Sequence, residues 1–185
     1  YVVEVAEDQL MVDCGPATTH KLVKAGLWPT DIDYLFFTHH HFDHSAGIRA
    51  AVSEGLTIVT HRTNRSFYED MVARRHSIVQ DALTRNAQPL TLEAVSSEEP
   101  FEITDGTRTL QIVTVVDDLH SDGMLMAYLP RERILIEADL FDSAVPDVLA
   151  QTRVIPENRS LFSHVQRLGL DVETIVPIHG PPVAW

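Results

Sequence analysis

Thr38-His39-His40-His41-Phe42-Asp43-His44 follows directly on the apolar run Tyr34-Leu35-Phe36-Phe37, and this stretch decides the reading of the chain. The run is too short for a helix and reads as a strand buried on both faces. In the extended segment after it, residues two apart point the same way, so His39 and His41 can present their imidazoles to one metal ion. Asp43 and His44 stand where the chain turns into a helix and can face a second ion a few ångströms away. The positive end of that helix disfavours a protonated imidazole and keeps His44 available as a neutral ligand. Core packing does not explain four metal-competent side chains in six residues. His40 alternates away from the cluster and reads as a surface or supporting histidine.

Upstream, Tyr1 to Asp13 alternates apolar and polar residues around Glu7-Asp8 and predicts two short strands. Ala17 to Gly26 reads as a helix, His44 to Glu54 has helical composition, Thr57 to Thr60 is a β-branched strand, and Asn64 to Asn86 reads as one or two helices. After Pro89 the character changes to strand-like runs at Leu90 to Val95, Phe101 to Thr104, Thr107 to Val116, Met124 to Leu129 and Arg133 to Ala138. Asp105-Gly106 and Pro130-Arg131-Glu132 are the tight connections among them. Asn158 to Leu168 is amphipathic and stops at Gly169, and a last strand, Thr174 to Ile178, runs into His179-Gly180. No Gly/Ser tract separates the halves, so a single domain over residues 1–185 with two sheet-containing halves is expected, of α+β class.

Length agrees with that, since 185 residues make about one domain. With 44% hydrophobic and 22% charged residues and a mean hydropathy of -0.03, the chain is neither disordered nor membrane-spanning in composition. The net charge is -13, and Lys21 and Lys24 are the two lysines, so nucleic acid and anionic membrane are poor partners. A small molecule is the expected one, and a homodimer is the assembly to test. Cys14 is the one cysteine and cannot form an internal disulfide. The chain opens Tyr1-Val2-Val3 with no targeting segment in view. The compartment is not legible, and a soluble cytoplasmic or periplasmic protein of bacterial type is expected.

His39, His41, Asp43 and His44 match the H-x-H-x-D-H signature of the metallo-β-lactamase superfamily, which the chain resembles over nearly its whole length. The resemblance implies a four-layer αββα sandwich, here with a shortened first sheet. It likens Leu10-Met11-Val12-Asp13-Cys14-Gly15 to the family's early strand-and-aspartate element, in which Asp13 supports the metal loop. His120 in Leu119-His120-Ser121-Asp122-Gly123, Asp139 in Ile136-Glu137-Ala138-Asp139 and His179 in Val176-Pro177-Ile178-His179-Gly180 resemble the remaining ligands. The implied centre has His39, His41 and His120 on one divalent ion, Asp43, His44 and His179 on the other, and Asp139 bridging. Zinc is the expected metal, with iron and manganese as alternatives. A hydroxide held by the pair would be the nucleophile, and Asp43 would orient it or pass a proton to the leaving group as the catalytic acid.

The superfamily's branches narrow the expected reaction. Flavin di-iron proteins place a glutamate where His41 stands, and glyoxalase II adds a helical domain after its last histidine, where only Gly180 to Trp185 follow here. Val12 to Asp43 looks like the ribonuclease Z and arylsulfatase branch, whereas His120 to Trp185 looks like small generic hydrolases. The acidic charge disfavours a polyanionic substrate. What remains is hydrolysis of a small ester, lactone, amide or lactam, with a phosphodiesterase or sulfatase-like activity and a non-catalytic metal-binding module as alternatives. Phe42 and Phe141 are the expected substrate walls, with Phe67, Tyr68 and Trp185 behind them. Familiar β-lactamases hold the substrate carboxylate with a cation, commonly lysine, between the bridging aspartate and the last histidine. Here that segment has no lysine, and only Arg153, Arg159 and Arg167 could substitute.

Overall fold

The computed structural model describes residues 1–145 and 155–185. The chain forms two compact units, Tyr1–Val95 and Ser96–Trp185.

The first unit is built on five strands, β1 (Val2–Val5), β2 (Asp8–Val12), β3 (Tyr34–Phe36), β4 (Thr57–His61) and β5 (Thr91–Val95), in that order across the sheet. β1 and β2 form an antiparallel hairpin, and β2 to β5 run parallel. Parallel pairing requires crossovers, which carry α1 (Thr18–Lys24), α2 (Phe42–Ser45), α3 (Ile48–Ser53), α4 (Arg65–Ala73) and α5 (Ala82–Arg85). The helical composition from His44 to Glu54 thus resolves into two short helices that part at Ala46-Gly47. Met11, Leu35, Phe37, Ile48, Ile58 and Tyr68 meet in one buried cluster, so the sheet's inner face is apolar where the helices cover it. Arg49 of α3 is buried and donates to the carbonyls of Met71 (3.0 Å) and Val72 (2.7 Å) at the end of α4 and to the Asp81 carboxylate that caps α5. That ion pair holds the Asp81 carboxyl well below the usual carboxylate range. One side chain therefore ties three helices together.

The run Leu90 to Val95, grouped by sequence with the later strands, pairs in parallel with β4 from Thr57↔Thr91 to His61↔Val95. Local pattern identifies a strand but not its neighbour, so the change of character at Pro89 precedes the true boundary.

The second unit has β6 (Phe101–Thr104), β7 (Thr109–Val115), β8 (Met124–Leu129), β9 (Ile134–Glu137), β10 (Thr174–Pro177) and β11 (Val183–Ala184), in the order β11-β10-β9-β8-β7-β6. Hairpins join β6 through β9. Asp105 makes the first turn by accepting the N–H groups of Thr107 and Arg108, each at 2.7 Å. β9 and β10 are parallel, and α6 (Pro156–Leu168) lies on the crossover between them. It ends, as predicted, at Gly169 in a left-handed C-cap. All six residues of β8 are buried, and Met124, Met126, Leu135, Leu161, Val165 and Ile175 form the core. Among the described residues, no helix is long and apolar enough to cross a membrane.

Candidate metal-binding site

Among the described residues, the side chains placed to serve as metal ligands are His39, His41, Asp43 and His44 in the first unit and His120, Asp139 and His179 in the second. Every one of them is a residue that the sequence singled out. His40 is in neither set, and its ring packs edge-on against Phe67 at 5.2 Å.

In the first unit the donors sit just past the carboxyl end of β3, where parallel strands leave room for a loop. Asp13, at the end of β2, organises them. Its φ of 58° is left-handed, which an aspartate tolerates better than most residues, and it turns the carboxylate toward the loop. One oxygen accepts the Thr38 N–H (2.8 Å), and the other accepts the Thr38 hydroxyl (2.8 Å) and meets His44 Nδ1 (2.8 Å). An ionised carboxylate only accepts, so His44 carries its proton on Nδ1, which leaves the lone pair on Nε2, the nitrogen 3.4 Å from Asp43 Oδ2. The same reasoning reaches His39. The Thr38 hydroxyl spends its proton on Asp13, so its oxygen accepts from His39 Nδ1 (3.1 Å), and Nε2 again bears the lone pair. His39 and His44 are fully buried, and their rings stand 4.3 Å apart, with His41 4.5 Å from His39.

The backbone of the loop is fastened separately. Tyr68 donates its hydroxyl to the His39 carbonyl (3.1 Å), and Ser45 donates to the carbonyls of His40 (3.0 Å) and His41 (2.9 Å). Cys14 N–H donates to the His44 carbonyl (2.7 Å), and Gly47 N–H donates to the Cys14 carbonyl (2.7 Å). The Cys14 thiol is buried, and burial pushes its pKa up. Gly15 approaches so closely that a Cβ there would overlap the Asp43 carbonyl. Tyr68, expected behind the substrate walls, is wholly buried and stacks on Phe37 at 4.9 Å, so it is a core residue.

In the second unit Asp139 follows β9, also left-handed at φ 61°. Its two oxygens diverge, Oδ2 lying 3.3 Å from His120 Nε2 and Oδ1 3.2 Å from His179 Nε2. One carboxylate thus faces two imidazoles. These imidazole nitrogens and carboxylate oxygens, with the tautomers of His39 and His44 fixed by hydrogen bonds, fit a divalent transition metal. Phe141 is half-buried against the second core, Phe42 is exposed, and Trp185 stacks on Phe162 at 6.0 Å.

Sequence reasoning missed Glu137. By alternation it reads as an ordinary strand residue, yet it is fully buried, with Oε2 accepting the N–H groups of Leu140 (3.1 Å) and Phe141 (3.2 Å). Burial first, with Asp139 and Asp142 adding to it, pushes its carboxyl from 4.5 up to about 8. The folded state then keeps a proton that the unfolded chain gives up near 4.5, so the group's stabilising contribution is complete below that pH and is lost as pH rises through about 8. For metal-free protein, Glu137→Gln is expected to gain stability over the native chain with rising pH in this window, by on the order of 1 kcal/mol per pH unit. Urea midpoints across the window check this, and a pH-independent difference would contradict it.

The metallo-beta-lactamase superfamily profile matches residues 1–179. A ribonuclease Z of Methanopyrus kandleri is 38% identical over 47 residues, which are 25% of this chain and 17% of that protein. The chain thus spans less than a fifth of that relative in the matched region. The rubredoxin oxygen:oxidoreductase of Desulfovibrio gigas superposes with a TM-score of 0.71 at 20% identity, over 98% of this chain and 48% of that one. A metallo-beta-lactamase from Pontibacter korlensis does so with a TM-score of 0.66 at 18% identity, over 99% and 80%. The two sheets with their helices are those of the metallo-β-lactamase fold, and the α+β class expected from sequence stands. By its profile match over nearly all its length, the chain belongs to the metallo-beta-lactamase superfamily.

Proposed function

We propose that this protein is a metal-dependent hydrolase of small neutral esters or lactones. In this reading His39, His41 and His120 would hold one divalent ion and Asp43, His44 and His179 a second, with Asp139 lending its carboxylate to the pair. The observation that carries it is the hydrogen-bond relay from Asp13, which leaves the lone pairs of His39 and His44 on Nε2, matched by an Asp139 carboxylate that faces two further imidazoles. Two such ions, when bound, supply Lewis acidity and lower the pKa of a water from about 15.7 toward about 7. The chain's own part is to orient and to move protons. Asp43, whose side chain is more than half exposed beside His44, would take the proton that the attacking water gives up and deliver it to the leaving group. Phe42 and Phe141 provide apolar surface for the substrate.

The substrate class is supported by how few cations the described residues between Asp139 and His179 offer to a substrate carboxylate. Arg167 donates to the Thr114 carbonyl (3.1 Å), Arg159 is exposed on α6, and Arg153 lies outside the described residues. A charge-assisted contact to a carboxylate contributes about 1.5 to 3 kcal/mol, so a β-lactam without one loses a factor of roughly 10 to 150 in transition-state binding. A second reading, hydrolysis of a small phosphodiester, is favoured by the ribonuclease Z similarity.

Elemental analysis of protein purified without chelator is expected to find about two transition-metal ions per chain. With the same batch, kcat/KM for an aryl ester or an uncharged lactone is expected to exceed that for a cephalosporin reporter about tenfold or more. A preference for bis(p-nitrophenyl) phosphate would select the second reading. A preference for the cephalosporin would overturn the substrate class, and protein without metal would overturn the mechanism.

A further inference from the structure

We propose that Ser160 and His164 on α6 are positioning residues that hold the His120 loop in its ligand-presenting shape. The inference rests on the reading of His120 as a metal ligand given above and goes beyond it, since His164 is in neither ligand set and both α6 residues meet the His120 loop instead.

His164 is buried, on a helix whose polar residues mostly face outward. Its Nε2 accepts the Val116 N–H at 3.0 Å, and its Nδ1 lies 2.7 Å from the Ser160 carbonyl. A backbone N–H can only donate and a carbonyl can only accept, so the ring is neutral with its proton on Nδ1. One helical turn earlier, the Ser160 hydroxyl donates to Asp118 Oδ2 at 2.7 Å, while Asp118 Oδ1 accepts the His120 N–H at 2.8 Å. Between these anchors Asp117 adopts a left-handed φ of 53°.

The loop leaving β7 is thus fastened from one helix face at Val116 and, through Asp118, at His120 itself. Residues four apart on a helix lie on the same side, which is why Ser160 and His164 act as one clamp. A ligand must be held to within about half an ångström, and an unpinned loop with a strained Asp117 would spread His120 over several positions. A helix that merely packed on the sheet would need neither the histidine's tautomer nor the serine hydroxyl. The core residues Leu161 and Val165 on the same helix already do that packing.

The test is a Zn2+ titration of the metal-stripped full chain against a chromogenic chelator, with melting of each metal-free variant as the folding control. Ser160→Ala removes the hydroxyl at a half-buried helical position that alanine suits. It is expected to leave the metal-free melting temperature nearly unchanged while weakening one of the two Zn2+ sites by about tenfold or more. Ser160→Thr, which restores a hydroxyl, is expected to recover most of that affinity, and His164→Gln to lose it. Substituted with Co2+, the Ser160→Ala protein is expected to show an altered visible spectrum at the weakened site. His120→Ala separates the failures. If it loses a Zn2+ site while Ser160→Ala keeps native affinity, the positioning role is overturned and the ligand assignment stands. If His120→Ala leaves both sites intact, the assignment falls and the positioning role with it.

Discussion

Asp139→Asn is expected to lower kcat/KM by about a hundredfold or more and to release close to one metal ion per chain, whereas His40→Ala is expected to change kcat/KM by less than about threefold. The asymmetry follows from the two side chains' surroundings. Asp139 presents one oxygen to His120 and the other to His179, at 3.3 and 3.2 Å. Asparagine keeps one oxygen but sets an NH2 donor against the second imidazole, and it removes the anion that two cations would share. The backbone is not the cause of the loss, because asparagine accepts the left-handed φ of 61° as readily as aspartate. His40 instead lays its ring against Phe67 and edge-on to His41 and is in neither ligand set. Steady-state kinetics with elemental analysis, and melting to confirm folding, check both variants. Comparable losses would mean that the face of the loop is misassigned.

Asp13→Ala is expected to destabilise the protein by about 3 to 5 kcal/mol and to weaken metal binding 10- to 100-fold. The carboxylate is buried and serves the Thr38 N–H, the Thr38 hydroxyl and His44 Nδ1, each at 2.8 Å. Alanine would strand all three in a site closed to water and add left-handed strain that aspartate bears more easily. Asp13→Asn should fall between, since one amide oxygen can still accept while the NH2 confronts a donor. Urea denaturation of metal-free protein measures the first effect and Zn2+ competition the second. A loss below about 1 kcal/mol would show that the relay does not organise the loop.

The ligand residues were legible because they cluster. That holds for the four candidates within six positions after β3; His120, Asp139 and His179 were picked out through the resemblance to the superfamily, because a lone histidine or aspartate near a strand carries no signal of its own. The supporting groups were not legible. Glu137, two residues after Leu135, and His164, three after Leu161, lie on the inward faces of their elements, but a polar residue at such a position carries no local sign of the partners that the fold supplies. Strands were found from β-branched and apolar runs, but β5's place beside β4 is a pairing between distant segments that no local pattern encodes. β11 is two residues long and follows a Pro-Pro pair, too short to show a period. The split of Asn64 to Asn86 into α4 and α5, with Arg49 bracing the gap, likewise depends on a side chain from elsewhere in the chain.

Cys14 gives the fold a chemical clock. Its thiol is buried, with its pKa raised, and its own N–H and C=O are bonded to His44 and Gly47. The thiol lines a cavity with Thr18, Leu22, Ile32 and Ala51, so a thiol reagent reaches it in molecules where that packing, or the ligand loop bonded to the Cys14 backbone, has momentarily loosened. Labelling speed counts those excursions without any substrate, and whatever clamps His44 in the closed loop is expected to slow the share of the count that passes through loop opening.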